Sequence, residues 1–273
     1  MSMKSSTTVT ILMDNQAVPG LVSEWGFAAA IRQDGRLWLW DTGQSAAFLA
    51  NAALLGIAPQ EADGLALSHG HYDHTGGLTA LLDAGYHGPV FAHPDFVRQR
   101  FNITRTPIRS IGIPCVAPQF TAVKQTCALT KSMTMVTGIP RLPGNFQATK
   151  GFFYDKEGNT PDPVEDDAFL VLDTLQGIVV LLGCCHSGLM NSLLCMKDRL
   201  GIDTVHSIIG GLHLFNADRT ALEETVEACR MFRIHQLVPG HCTGPDAPAQ
   251  MQAMLENCET IPMKAGLSLD YPA

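Results

Sequence analysis

The chemistry in this 273-residue sequence is concentrated in one run, Ser68-His69-Gly70-His71-Tyr72-Asp73-His74-Thr75-Gly76-Gly77. His69 and His71 are two positions apart, so in extended backbone both imidazoles face one side. Two neutral nitrogen donors on one side suit a single metal ion. After a turn, Asp73 and His74 offer a carboxylate and a third imidazole to a neighbouring point. Gly76 and Gly77 permit close backbone approach where a helix starts. Scattered surface or capping histidines are a poor account of so dense a cluster. Nitrogen and oxygen donors in this mixture suit Zn²⁺, Fe or Mn²⁺.

The elements that must carry this run can be read around it. Residues 9–13 are β-prone, and residues 27–32 and 36–40 flank Asp34-Gly35, a two-residue hairpin signal. Ser45 can cap a helix running to residue 55, with Gly56 as its stop. Residues 65–68 form a short apolar run, read as a buried strand that delivers the histidines. A helix over 78–84 and a strand over 89–92 follow. Residues 168–173 and 178–182 read as a second β pair. Helices over 189–200, 220–232 and 247–257 then alternate with strands over 204–209 and 234–238. Residues 96–150 are weakly periodic and rich in Pro, Thr and Gly, which predicts an irregular insertion with some helix and strand. Two β-sheets packed together with helices outside fit this order. No linker marks a boundary, so one domain over residues 1–273 is expected.

Composition narrows the classes. Hydrophobic residues make up 46% and charged residues 16%, a globular balance. The net charge of −8 opposes nucleic acid unless the basic residues cluster. The eight cysteines contain no C-x-x-C pair, and the adjacent Cys184 and Cys185 are badly placed for a structural bridge. Residues 1–6 carry no signal-peptide pattern, and no apolar run is long enough to span a bilayer. The expectation is a cytoplasmic protein with reduced thiols, no membrane association and a small-molecule substrate.

H-x-H-x-D-H after an apolar strand, followed by Thr75-Gly76-Gly77-Leu78, resembles the signature of the metallo-β-lactamase superfamily. Trp40-Asp41-Thr42-Gly43 is similar to that superfamily's first motif, whose Asp supports the metal site from behind the ligands. Gly183-Cys184-Cys185-His186-Ser187-Gly188, Ile209-Gly210-Gly211-Leu212-His213-Leu214 and Gly240-His241-Cys242-Thr243-Gly244 follow in order. Together they resemble the branch named for 7,8-dihydropterin-6-methyl-4-(β-D-ribofuranosyl)aminobenzene-5′-phosphate synthase. The resemblance implies an α+β fold, a four-layer αββα sandwich with two mixed β-sheets flanked by helices. It also implies a pair of divalent transition-metal ions, Zn first, with Fe or Mn as alternatives.

Beyond the central cluster, His186 follows an apolar strand, where a chain leaves a sheet edge. In the wider superfamily a metal-bridging Asp stands near this point, and an imidazole cannot bridge in its place. His186 is still expected to be a ligand, as is His241, which matches the superfamily's last metal histidine. The metal set is thus His69, His71, Asp73, His74, His186 and His241, with Asp41 behind it. His213 can ligate, act as a general acid or bind substrate. His93 reads as structural, and the cysteines as packing groups, because adjacent side chains in extended backbone point opposite ways.

Residues 98–150 contain eight Lys or Arg and no Asp or Glu, whereas residues 155–173 are strongly acidic. Either this basic insertion overhangs the metal cleft and attracts an anion, or it pairs with the acidic stretch or an oligomer partner, such as a second copy of the chain. Arg141 is the first candidate for an anionic substrate, and Phe146, Phe152 and Phe153 for an aromatic wall. The leading functional expectation is a metallo-hydrolase acting on a phosphate-bearing small molecule. In it, metal-activated water attacks, Asp73 takes up a proton and His213 protonates the leaving group. The alternative is a pterin-related synthase or transferase using the same metal site. A di-iron redox protein is disfavoured, because the Glu expected at position 71 and a flavin domain are both missing.

Overall fold

The structure is a computed structural model that describes residues 6–104 and 106–272. Most of the N-terminal stretch read for a signal peptide, and Arg105 of the basic run, lie outside the described residues. The chain opens with β1 (Thr7–Met13), β2 (Ala28–Gln33) and β3 (Arg36–Trp40). Asp34 and Gly35 join the last two with φ of 54° and 73°, the paired positive values of a tight hairpin turn. The helix α1 (Ala47–Leu54) follows, with Ser45 Oγ accepting from Ala47 N–H at 3.1 Å. Next come β4 (Gly64–Ala66), the single turn α2 (Tyr72–Thr75), α3 (Leu78–Asp83) and β5 (Val90–Ala92).

Short strands fill the middle of the chain: β6 (Phe101–Asn102), β7 (Arg109–Ser110), β8 (Thr121–Ala122), β9 (Thr126–Ala128), β10 (Met133–Thr137) and β11 (Phe152–Phe153). The C-terminal half begins with β12 (Ala168–Thr174), β13 (Gly177–Leu182) and α4 (Leu189–Leu200). It continues through β14 (Ser207–Gly210), α5 (Arg219–Met231), β15 (Gln236–Pro239) and α6 (Ala247–Met254). It closes with β16 (Glu259–Thr260) and β17 (Ser268–Tyr271).

Two seven-stranded sheets result, ordered β17-β1-β2-β3-β4-β5-β8 and β16-β15-β14-β13-β12-β10-β9. Strand periodicity explains the layering. Along β13, Val179 and Leu181 enter the core between the sheets, while Val180 and Leu182 face the helices α4, α5 and α6. Along β2, Ala29 and Ile31 join the inter-sheet core, while Ala28 and Ala30 pack beneath α1 and α3 with Phe48, Leu78 and Leu81. Both faces of both sheets are therefore apolar, and burying all of them requires helix–sheet–sheet–helix layering. The fold is the expected α+β, four-layer αββα sandwich. Trp40 Nε1–H donates to Leu182 O at 3.0 Å, satisfying its one polar atom while tying the sheets together.

The segment around residues 98–150 departs from the expectation of an irregular insertion. It contains no α-helix among the described residues. It supplies β8 to the first sheet and β9 and β10 to the second. β10 pairs with β12 over five residues, from Met133 opposite Leu172 to Thr137 opposite Ala168. Met133 and Met135 bury between the sheets and Val136 on the helix side, which makes this strand part of the frame. The remaining pieces, β6 and β7, join β11, which lies just beyond the segment, in a small three-stranded sheet beside the cleft.

Candidate metal centre

Strand direction gathers the site. β3, β4 and β5 run parallel, as do β13, β14 and β15. Asp41 and the Ser68–His74 run thus leave one sheet at the same edge. Cys184, His186, His213 and His241 follow the ends of three neighbouring strands of the other. Ends of parallel strands are where open sheets leave room for a ligand. Gly183 makes the meeting possible, because a Cβ there would collide with Ser68 Oγ and Cβ. Gly76 and Gly77 likewise lie against the carbonyls of Gln44 and Thr42, the close approach their type predicts.

Five overlapping groups of donor atoms form among the described residues, and two of them hold the expected ligands. His69, His71 and His186 place ligand atoms within 4.8 Å of one another, and so do Asp73, His74 and His241. Ring centroids are 4.6 Å apart for His69 and His71, 4.8 Å for His69 and His186, and 5.0 Å for His74 and His241. His186 therefore joins the first pair of histidines rather than standing between the groups. Cys184 stands there instead, its Sγ 3.1 Å from His74 Nε2.

Hydrogen bonds on the far side of each ring fix which nitrogen faces the site. Asp41 Oδ2 accepts from His74 Nδ1–H at 2.7 Å and from Ser68 Oγ–H at 2.7 Å. Having given its proton to Asp41, Ser68 Oγ accepts from His69 Nδ1–H at 2.9 Å. Ala148 O accepts from His186 Nδ1–H at 2.7 Å, and Asn15 Oδ1 from His241 Nδ1–H at 3.1 Å. Each of these four imidazoles thus turns Nε2 toward the same space. His186 Nε2 is buried with no hydrogen-bond partner among the described residues. A buried acceptor left without a donor calls for a cation, and a hydrogen-bonded second nitrogen is how metal-binding histidines are held. The residues present therefore fit a metal centre.

The electrostatics agree. Burial, then the neighbouring imidazoles, hold His69 well below the usual histidine range, and burial and then His213 do the same for His186. Burial and then Arg100 bring His71 down to about 3. All three are neutral at ordinary pH, as ligation requires. Burial pushes the Asp73 carboxyl up, but the His241 contact and adjoining imidazoles outweigh it and leave it below the usual carboxylate range. His241 goes the other way: burial lowers it, yet Asp73 dominates and raises it to about 9. Its Nε2, 3.4 Å from Asp73 Oδ2, so takes up a proton where a metal ion would lie.

Backbone strain gathers at the same place. Asp41, Cys185, His213 and His241 have φ of 60°, 58°, 49° and 49°. Such values cost L-residues energy and persist where surrounding structure enforces them, commonly at functional sites.

A cleft of about 140 Å³ opens on the donors, lined by Trp25, His71, Asp73, Phe152, Cys184, His186, His213 and Phe215 among others. A second hollow of about 580 Å³ shares Trp25 and Phe215 with it and is lined by His241 as well. His213 reaches the cleft 4.5 Å from the His186 ring, with Nδ1 buried and unpartnered among the described residues. Of the three phenylalanines expected to wall the cleft, Phe152 lines it, whereas Phe146 packs against the helix-side core and Phe153 is not among the lining residues. Trp25 and Phe215 had no sequence signal, since they come from loops without a motif.

Arg141 requires correction as a substrate contact. Its guanidinium donates to Val164 O at 2.8 Å and Ser187 Oγ at 3.3 Å and lies 3.6 Å from Glu165. It is not among the cleft-lining residues, because these partners hold it against the acidic stretch. Arg100 is fully buried between Asp162 at 3.3 Å and Asp166 at 2.6 Å, and Asp166 in turn accepts from Gly70 N–H at 2.7 Å. Of the two readings of the basic segment, pairing with the acidic stretch describes these residues. The cysteines also need correction: Cys185 packs in the helix-side core, but Cys184 and Cys242 line the cleft. His93 is structural as expected, its Nδ1 accepting from Asp95 N–H at 3.2 Å.

A synthase from Methanocaldococcus jannaschii, named 7,8-dihydropterin-6-methyl-4-(β-D-ribofuranosyl)-aminobenzene-5′-phosphate synthase, is 29% identical over 238 residues, covering 76% of this chain and 75% of its own. The crystal structure of Tm1679, described as a metal-dependent hydrolase of the β-lactamase superfamily, superposes with a TM-score of 0.82 at 28% identity, covering 96% of this chain and 98% of that one. Zn²⁺-bound PqqB from Methylobacterium extorquens shares the fold at 14% identity, with a TM-score of 0.56 over 96% of this chain and 99% of its own. Residues 26–241 match the profile of the metallo-β-lactamase superfamily, and the chain belongs to that superfamily.

Proposed function

We propose that this chain is a metal-dependent hydrolase that cleaves a small molecule bearing both a phosphate group and an aromatic ring. The observation that carries the reading is the convergence of four imidazole Nε2 atoms, each oriented by a hydrogen bond on its other nitrogen. His69, His71 and His186 would hold one divalent ion, and Asp73, His74 and His241 a second. When bound, such ions, Zn²⁺ first and Fe or Mn²⁺ as alternatives, supply Lewis acidity and make water acidic near neutral pH.

The chain's own residues do the rest. Asp73, held ionised by His241 and adjoining imidazoles, is placed to take up a proton from the attacking water. His213 is the group to protonate the leaving oxygen, since its Nδ1 has no competing partner among the described residues. Trp25, Phe152 and Phe215 offer a wall against which a planar ring stacks. Among the described residues, no Lys or Arg lines the cleft. The phosphate end of the substrate therefore belongs at the metal centre and the ring at the wall.

A second reading, a pterin-related synthase or transferase, is favoured by the relative carrying that name. The same aromatic wall suits a pterin. Two assays of the metal-loaded protein separate them: hydrolysis of aryl phosphodiesters, and product formation from a dihydropterin diphosphate with an aminobenzene ribotide. Hydrolysis alone supports the first reading and product formation the second. Asp73→Ala should lower whichever activity is found by about 10²-fold or more, the order typical of a lost proton-transfer group. Full turnover in that variant overturns the assignment.

A further inference from the structure

We propose that Cys184 is a thiolate ligand shared between the two metal positions, an inference that rests on the metal-centre reading above. Its Sγ falls within 4.8 Å of donor atoms in three separate groups: with His69 and His74, with His186 and His213, and with His241 and Cys242. No other donor among the described residues recurs in three. The sulfur is thus the atom common to both sides of the site.

Local structure puts it there. β13 ends at Leu182, and Gly183 packs directly on Ser68, which brings the next residue beside the histidine run. Cys185 then takes φ of 58° and turns its own sulfur to Ser192 Oγ, 3.7 Å away, on the core side. The alternation that prevents both thiols from facing one metal is obeyed, and Cys184 is the one that faces it.

Chemistry gives the sulfur a task. Asp73 is the one carboxylate in the donor groups, against six imidazoles. Two divalent ions held by neutral rings and a single carboxylate would leave a large uncompensated charge in a buried site, which is costly. A thiolate supplies a second negative donor, and thiolates are strong ligands for Zn²⁺ and for other soft or borderline ions. His74 Nε2, with its other nitrogen bonded to Asp41, is an acceptor 3.1 Å from Sγ. On loading, the S–H bond breaks, the sulfur keeps the electron pair for the metal–sulfur bond, and the proton leaves to buffer.

The test uses the whole chain with Co²⁺ as probe. Metal-free protein is titrated with Co²⁺ while bound cobalt is counted by equilibrium dialysis and thiolate-to-cobalt charge-transfer absorption is recorded in the near ultraviolet. The wild type should bind two ions and show the band, and Cys185→Ala should keep it. Cys184→Asp should keep two ions and lose the band. X-ray absorption of the wild type, which needs no variant to fold, should show sulfur at about 2.3 Å, averaging one per metal ion for a shared ligand. Two bound ions without the band, a band surviving Cys184→Asp, or half a sulfur per ion each overturn the proposal while leaving the metal centre intact. Failure of the wild type to bind cobalt would instead overturn the metal-centre reading beneath it.

Discussion

Replacing Asp41 with asparagine removes a charge while keeping shape, at a residue that touches no metal position itself. Its φ of 60° suits asparagine, which tolerates the left-handed region, so the backbone should hold. The carboxylate accepts three hydrogen bonds, from Ser68 N–H, Ser68 Oγ–H and His74 Nδ1–H, each at 2.7 Å. Hydrogen bonds to a charged group are worth about 1.5–3 kcal/mol, against about 1 kcal/mol for neutral ones. The variant should therefore lose about 1–2 kcal/mol in its hold on His74. If the amide NH₂ turns to the ring, His74 shifts its proton to Nε2 and loses the lone pair that faces the site. About 1.4 kcal/mol is a factor of ten, so Zn²⁺ affinity should fall about 10–100-fold, the range seen when such outer partners are changed. Competition with a chromophoric chelator measures this directly, and urea denaturation of the metal-free variant checks the fold. A folded variant with unchanged affinity for both ions would refute the claim that Asp41 sets the tautomer of His74.

Other outcomes follow from the same geometry. Arg100→Met leaves Asp162 and Asp166 buried without their cation, and should cost about 3–5 kcal/mol in denaturant unfolding; a loss under about 1 kcal/mol would show that this network is not load-sharing. In metal-free protein, burial raises Asp14 to about 6, above the unfolded value of about 3.9. Its contribution to stability is therefore full below about pH 4 and is lost as pH rises through about 6, a fall of about 3 kcal/mol. Asp14→Asn should flatten that part of the stability–pH curve, and an unaltered curve would contradict the assignment. Free Zn²⁺ at about 100 times its Kd should add about 2.7 kcal/mol of stability, raising Tm by on the order of 5–10 °C over chelator-treated protein. Identical melting with and without Zn²⁺ would count against the donor set.

Much of this was legible in the residues. The Asp34-Gly35 hairpin, the helix over Leu189–Leu200 and the strand that delivers His69 are governed by local rules of turn chemistry, capping and periodicity. The central cluster was visible because its donors lie within one turn of chain. Long-range choices were not visible. β10 reads as an unremarkable Met-Thr alternation, and only its pairing with β12 shows it to be frame. Arg100 and Arg141 look like free positive charge until the fold brings Asp162, Asp166 and Glu165 to them. Alternation predicted that Cys184 and Cys185 would face opposite ways, but which of them met the histidines depended on the twist at Cys185. Trp25 and Phe215 are single aromatic residues in loops, with no pattern to separate them from core.

Donors from both halves of the chain converge on one site, where the proposed function has them hold two metal ions side by side. Anomalous diffraction at the metal edge, from crystals of Zn²⁺-loaded protein, tests it most directly. Two peaks are expected, one among His69, His71 and His186 and one among Asp73, His74 and His241. No peak at either position, or metal only at sites remote from these residues, would contradict it.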